Sequence, residues 1–272
     1  MKLKESQIGF VGAGNMAGSL IRGILQQGCP PANVTATDID AKKLEVLNAE
    51  CGINTGGPDR LTDCSVIVLA VKPQVMQRVC SSLPASRTLP LYISVAAGIT
   101  LDQLGKWLGE DTAIVRCMPN TPALVGQGAS GMHAGTGVSA AQKELAADIM
   151  GSVGLSLWMP QESDLDLVTA VSGSGPAYFF LFMEAMEQAA RDLGMPEETA
   201  HALVLQTASG AAELARQSEV GVEELRRRVT SPGGTTERAI ASLEENGIRQ
   251  LLKQALVAAR DRSIELARES SN

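Results

Sequence analysis

The sequence predicts a doubly wound, mainly parallel α/β sheet followed by an all-helical domain. Three observations carry that expectation. Short β-rich runs alternate with helical periods up to Gln161, strand signals vanish beyond it, and a glycine-rich turn follows the first strand.

Ile8–Val11, Val34–Thr37, Val66–Val71, Leu91–Val95 and Ala113–Cys117 are the strand-like runs, and helical periods near 15–27, 41–50, 74–83 and 101–108 separate them. The run at 66–71 is apolar throughout, as a central strand covered on both faces requires. A helix over 139–151 and a strand over 155–159 close a first domain at residues 1–161. Amphipathic periods near 163–172, 176–193, 196–217, 221–229, 235–246 and 248–269 then make residues 162–272 an all-helical second domain. Pro176 and Pro196 fall where a helix start tolerates proline. No repeat, low-complexity tract or flexible linker separates the halves.

Composition narrows the function. At 272 residues and 44% hydrophobic, the chain can bury two cores. No apolar run approaches the roughly 20 residues that span a bilayer, and Met1–Gln7 leads straight into a strand without a leader pattern. Cys29, Cys51, Cys64, Cys80 and Cys117 are scattered, odd in number and never in a CxxC pair, which suits reduced thiols in a cytoplasmic protein. Residues 1–161 carry 12 basic and 12 acidic side chains, whereas residues 162–272 carry 11 and 18. An acidic second half and few aromatics argue against nucleic acid as a partner. Arg226-Arg227-Arg228, set among Glu219, Glu223 and Glu224, reads as a salt-bridged helix face.

The first strand runs into Gly12-Ala13-Gly14-Asn15-Met16-Ala17, a GxGxxA turn opening a helix. The first glycine makes the tight turn, the second admits a pyrophosphate to the helix N-terminus, and a small third residue lets helix and strand pack closely. The second strand leads to an acid, Asp38. With that context the first domain reads as Rossmann-like and dinucleotide-binding. Asp38 would bond the ribose hydroxyls of NAD and repel an added phosphate, while Lys42 and Lys43 either reach a 2′-phosphate or are solvated helix lysines. The cofactor is therefore NADH or NADPH, with the preference open.

Ligands of open α/β sheets lie beyond the carboxyl ends of the strands. Ala70-Val71-Lys72-Pro73 ends the central strand and Ser94-Val95-Ala96-Ala97-Gly98 ends the next, so both should flank the cofactor. Proline after Lys72 fixes an extended exit that turns the lysine toward the crevice, unless Lys72 is only a surface residue. Arg116-Cys-Met-Pro-Asn120-Thr-Pro122 and Gly126–Gly131 read as wall around nicotinamide and substrate, or as a plain crossover loop. Val168-Thr169-Ala-Val-Ser172-Gly-Ser174-Gly-Pro-Ala-Tyr178 joins the halves. Its small residues suffice to explain close helix packing, and Thr169 and Ser174 would also offer hydroxyls to a substrate.

Val229-Thr230-Ser231-Pro232-Gly233-Gly234-Thr235-Thr236-Glu237-Arg238 forms the doorway of a helix. Such a doorway exposes unpaired N–H groups and the positive end of the helix dipole. Glycines admit an anion and the threonines add hydroxyl donors, although an ordinary capped helix has the same spacing. There is no Ser-His-Asp constellation, no metal-ligand spacing, and His133 and His201 stand in contexts that read as structural. A site without a strong acid or base suits hydride transfer, whose hard step belongs to the cofactor.

IGFVGAGNMA, AVKPQ, SVAAGIT, RCMPNTPALVGQG, SGSGPAY and above all VTSPGGTTERAIASLEE together resemble the pyrroline-5-carboxylate reductase family along essentially the whole chain. The resemblance implies NAD(P)H-dependent reduction of a cyclic imine to L-proline, the last step of proline biosynthesis. It places the cofactor along Gly12, Ala13, Gly14, Asn15 and Met16, on Ala70, Val71, Lys72 and Pro73, against Ala96, Ala97 and Gly98, and beside Asn120. The substrate carboxylate falls to Ser231, Gly233, Gly234, Thr235 and Thr236. Thr169 matches the family's hydroxyl near the nicotinamide and imine nitrogen, and Glu219 matches an acid paired with Lys72. The helical domain is expected to make an intertwined dimer, with dimers joining into a decamer-like ring and the pocket drawing on both subunits. Asp38 and the lack of an asparagine near Gly57-Pro58-Asp59 depart from the family pattern at the adenosine end. A β-hydroxyacid dehydrogenase would need a lysine where Phe179 stands, and an NAD(H)-sensing regulator would carry a binding appendage that this chain lacks.

Overall fold

In the computed structural model, which describes residues 2–270, eight strands form one sheet in the order β3-β2-β1-β4-β5-β6-β7-β8. The strands are β1 (Ile8–Val11), β2 (Val34–Thr37), β3 (Asn54–Thr55), β4 (Val66–Leu69), β5 (Leu91–Ser94), β6 (Ile114–Met118), β7 (Gly128–Ala134) and β8 (Gly154–Trp158). All neighbours pair in parallel except β6 and β7. The doubly wound, mainly parallel sheet is as expected, and β3 and β7 are additions to it. The β7 segment Gly128-Ala-Ser-Gly131 has the composition of a loop. It extends because it pairs on both sides, with Met118 opposite Gly131 and Gly128 opposite Gly154.

Helices α1 (Asn15–Gln26), α2 (Ala41–Cys51), α3 (Pro73–Ser82), α4 (Leu101–Leu108) and α5 (Ala140–Gly151) cover the sheet. Side chains alternate across it: Ile8 and Phe10 of β1 join Leu20, Ile24, Leu145 and Ile149 in one core, while Val11, Ile67 and Leu69 join Met76, Ile99 and Leu104 in the other. The starts of α4 and α5 are fixed by capping boxes, Thr100 with Gln103 and Ser139 with Gln142.

The remaining helices are α6 (Asp164–Val168), α7 (Gly175–Asp192), α8 (Glu197–Gln217), α9 (Val222–Arg228), α10 (Thr235–Glu245) and α11 (Ile248–Glu269). A single π turn, Thr169–Gly173, lies between α6 and α7. The sequence places a boundary at Gln161, whereas compactness divides the chain after Gly175 and assigns the stretch from Ala258 onward to the sheet unit. The reason is local. Helix α6 packs on β6 and β7, and Ser263 of α11 donates to Asp166 Oδ1 at 2.7 Å. The second unit is Pro176–Val257. There Arg227 and Arg228 pair with Glu224, and Arg226 with Glu244, so the basic run is the ion-paired helix face expected of it. The continuous stretch Asp164–Asp192 is, by length and composition, apolar enough to cross a membrane, although its apolar residues are interrupted by polar ones.

One ion pair stitches the sheet unit together. Arg116 Nη1 on β6, 6% exposed, lies 2.9 Å from Glu162 Oε1, which also accepts from the Leu101 N–H at 2.8 Å. Removing one partner of such a pair strands a buried charge. Glu162→Ala should lower the stability of the fold by about 3 kcal/mol, and Glu162→Gln, which keeps an acceptor, by less. Urea unfolding at fixed protein concentration measures both.

Candidate functional site

One candidate site is the carboxyl-end rim of the sheet, held by backbone hydrogen bonds from one strand exit to the next. Gly12 N–H donates to Thr37 O at 2.7 Å, Ala70 N–H to Val11 O at 2.8 Å and Val95 N–H to Leu69 O at 3.1 Å. Gly12 has φ +100°, and a Cβ there would lie 2.6 Å from Ala70 O, so only glycine fits. Gly14 caps α1 without any side-chain bond, and nothing lies within 4 Å of where its Cβ would be. The N–H groups of Asn15 and Met16 are thus open to an anion, with Ala17 fully buried behind them. The donor set and the free space fit a dinucleotide pyrophosphate.

Asp38 does more than the sequence suggests. Its Oδ2 accepts from Ala13 N–H at 2.7 Å and its Oδ1 from Asp40 N–H at 2.8 Å. The carboxylate is pinned beside the turn, and the Ala13 N–H is committed to it. Along the rim, Ala70, Val71 and Pro73 are half-buried, Lys72 and Ala97 are exposed, and Ala96 and Gly98 are buried. Lys72 caps α3 ahead of Pro73. Neither Lys72 nor Glu219, exposed between α8 and α9, holds an ion pair among the described residues.

The same unit carries Thr169 at the start of the π turn. Thr169 Oγ1 donates to Leu165 O at 2.7 Å, so its hydrogen is committed and only lone pairs remain for a further partner. Asn120, 9% exposed, accepts from Ala129 N–H at 2.8 Å and donates to Ser172 O at 3.0 Å. A Cβ on Gly131 would lie 2.6 Å from Val168, so glycine brings β7 against this segment. The π turn is not among the elements the sequence predicts, though its signal is there: Pro176 stands four residues after Ser172 and has no N–H to close an α turn on that carbonyl.

A separate candidate anion site lies in the other unit, at the start of α10. Gly234 caps this helix with no side-chain bond, and Gly233 adopts φ +71°. Gly234 N–H donates to Ser231 O at 3.0 Å and Gly233 N–H to Glu237 Oε2 at 2.7 Å. The N–H groups of Thr235 and Thr236 and the hydroxyls of Ser231, Thr235 and Thr236 hold no hydrogen bond among the described residues. Five donors converging on a helix N-terminus suit a carboxylate.

Other reactive groups are occupied or quiet. His133 Nδ1 lies 3.0 Å from Met159 O, and His201 lies 3.0 Å from Glu187. All five cysteines are free, and burial pushes the Cys64 and Cys80 thiols up to about 11. Among the described residues no group of three or more His, Cys, Asp or Glu side chains is gathered for a metal ion.

Residues 162–266 match the family model for pyrroline-5-carboxylate reductase dimerisation, and residues 7–98 match that for NADP oxidoreductase, coenzyme F420-dependent. A pyrroline-5-carboxylate reductase of Pseudomonas aeruginosa is 52% identical over 98% of this chain and 99% of its own. The chain belongs to the pyrroline-5-carboxylate reductase family. The Coxiella burnetii pyrroline-5-carboxylate reductase structure superposes with a TM-score of 0.93 at 44% identity, covering 96% of this chain and 98% of that one. The Plasmodium falciparum pyrroline carboxylate reductase, solved with NADP bound, superposes with a TM-score of 0.85 at 30% identity, covering 98% and 100%. As a family member the chain is an NAD(P)H-dependent oxidoreductase with a dimerisation domain.

The pinned carboxylate of Asp38 generates a test of cofactor choice. Asp38→Ser removes a negative charge beside the glycine turn and should raise the NADPH-to-NADH ratio of kcat/KM about 10-fold, a difference of roughly 1.4 kcal/mol. The same variant should melt at lower temperature, because Ala13 and Asp40 lose their shared acceptor. Steady-state kinetics with both cofactors and a thermal scan read the two effects separately.

Proposed function

We propose that this chain reduces L-1-pyrroline-5-carboxylate to L-proline with NAD(P)H, and that the observation carrying this reading is the uncapped, glycine-led doorway of α10. Bound NAD(P)H supplies the hydride that forms the new C–H bond at the imine carbon. The chain's own task is to hold, orient and exclude. Asn15 and Met16 N–H groups take the pyrophosphate, Asp38 faces the ribose, and the exits Ala70–Pro73 and Ala96–Gly98 line the rest of the cofactor. Thr235 and Thr236 bind the substrate carboxylate through N–H and hydroxyl groups, with Ser231 beside them. Burying that anion without donors would cost several kcal/mol on the order expected for unpaired charge.

Thr169 supplies the complementary contact. Its proton is committed to Leu165 O, so Oγ1 offers only lone pairs and suits the N–H of a protonated imine. A cyclic iminium needs no buried general base, and holding its face against the nicotinamide is then the main contribution. Lys72 and Glu219 are read as an ion pair of the assembled enzyme.

We further propose that α7 lies in a dimer interface. Phe179, Phe180, Leu181 and Phe182 are between 50% and 67% exposed, an apolar surface that a folded chain rarely leaves to water. That accounts for the membrane-like composition of Asp164–Asp192 without a membrane. In the dimer a second copy completes each pocket, and dimers assemble into a decamer-like ring. The five free thiols support a reducing, cytoplasmic setting.

Purified protein should oxidise NADH or NADPH only when pyrroline-5-carboxylate is added; no oxidation with either cofactor would sink the reading. Thr236→Val should raise the substrate KM about 10-fold or more, as expected for one lost hydrogen bond to a charged group, and leave the cofactor KM within about 2-fold. Equal effects on both constants contradict the carboxylate assignment.

A further inference from the structure

Asn120 is buried, carries no charge, and its amide has two backbone partners on different elements. Its Oδ1 holds Ala129 on β7, and its Nδ2 reaches the Ser172 carbonyl inside the π turn. That carbonyl is unusual. In an α-helix it would accept from the N–H four residues on, and that residue is Pro176, which has none and whose ring crowds the carbonyl. The turn widens accordingly, and Ser174 N–H closes on Thr169 O at 2.8 Å, five residues back. Thr169 therefore stands at the head of a turn whose width is set by a missing donor and whose exposed carbonyl is held by a side chain from the end of β6.

We propose that Asn120 is a positioning residue for the reaction. It supplies the donor that Pro176 cannot, clamps the π turn to β7, and thereby fixes the direction of Thr169 Oγ1. This assigns Asn120 to the imine side of the site through Thr169 and not to direct contact with the cofactor. The inference rests on the reading of Thr169 as the hydroxyl at the imine nitrogen. Geometry supports a separation of the two arms. Asn120→Asp keeps an acceptor for Ala129 N–H and removes the donor to Ser172 O, so it releases the turn while leaving the β7 contact in place.

The test is a double-mutant cycle between positions 120 and 169, with kcat on pyrroline-5-carboxylate, NADH affinity by fluorescence titration and thermal midpoints measured for each protein. Asn120→Asp in the otherwise unaltered enzyme should lower kcat about 10-fold or more, as misplacement of a contact group does, with the NADH Kd within about 2-fold. In a Thr169→Ala background the same substitution should change kcat by less than about 2-fold, because the group it aims is gone. A thermal midpoint lowered equally in both backgrounds is compatible with this result, since stability does not depend on Thr169. Equal kcat losses in both backgrounds overturn the proposal, as does an unchanged kcat for Asn120→Asp. A loss confined to NADH affinity overturns it in favour of direct cofactor contact. If Thr169→Ala alone leaves kcat unchanged, the reading of Thr169 fails and takes the proposal with it. Should Asn120→Asp not fold, Asn120→Ser, which is neutral and too short to reach Ser172, carries the same cycle and the same outcomes.

Discussion

The close approach of Gly12 to the carbonyl of Ala70 is the constraint on which the rest of the sheet unit depends. A single Cβ at position 12 would push β1 and β4 apart where the crevice opens. Because they stay together, the four strand exits of β1, β2, β4 and β5 remain linked by backbone bonds. The glycine turn then delivers the start of α1 to the rim with its N–H groups pointing outward. Everything assigned to the cofactor hangs on that edge. The binding surface is backbone more than side chain, which is why it carries so few titratable groups.

The two anion doorways follow one design in two settings. Gly14 before α1 and Gly234 before α10 both cap their helices without a side-chain bond, in contrast to Thr100 and Ser139, which close their helices with capping boxes. Leaving a helix start uncapped forgoes roughly 1 kcal/mol of stability per site. At these two glycine-led starts a bound anion would supply the missing acceptor. Helices α3, α6, α8 and α9 also start without a side-chain cap, whereas Asp40, Thr100 and Ser139 close α2, α4 and α5.

Much of this was legible in the sequence. Alternating apolar runs marked β1, β2, β4, β5, β6 and β8, and apolar periodicity marked the helices to within a few residues, because burial on known faces dictates both patterns. What escaped notice depends on partners distant in the chain. Gly128-Ala-Ser-Gly131 has loop composition and becomes a strand only between β6 and β8. Asn54–Thr55 is too short to leave a period. The boundary at Gln161 follows the loss of strand signals and is where the dimerisation family match begins, while α6 and the end of α11 group with the sheet unit by compactness. For the proposed site, motif spacing nominates the glycines, Asp38, Thr169 and the α10 doorway. It could not reveal that Asp38 holds Ala13, or that Asn120 holds Ser172, since those are contacts across 25 and 52 residues of chain.

Asp38 carries a consequence for any attempt to retune this enzyme. In the proposed function one side chain both meets the ribose end and anchors the glycine turn, so recognition and architecture would share a single group. A change of nucleotide preference by evolution or engineering cannot be confined to the loss of its charge. The replacement must also present an acceptor to the Ala13 amide, or the turn that admits every nicotinamide cofactor loosens along with the discrimination between them. Asparagine keeps one acceptor and discards the charge, which makes it the shortest path between the two specificities.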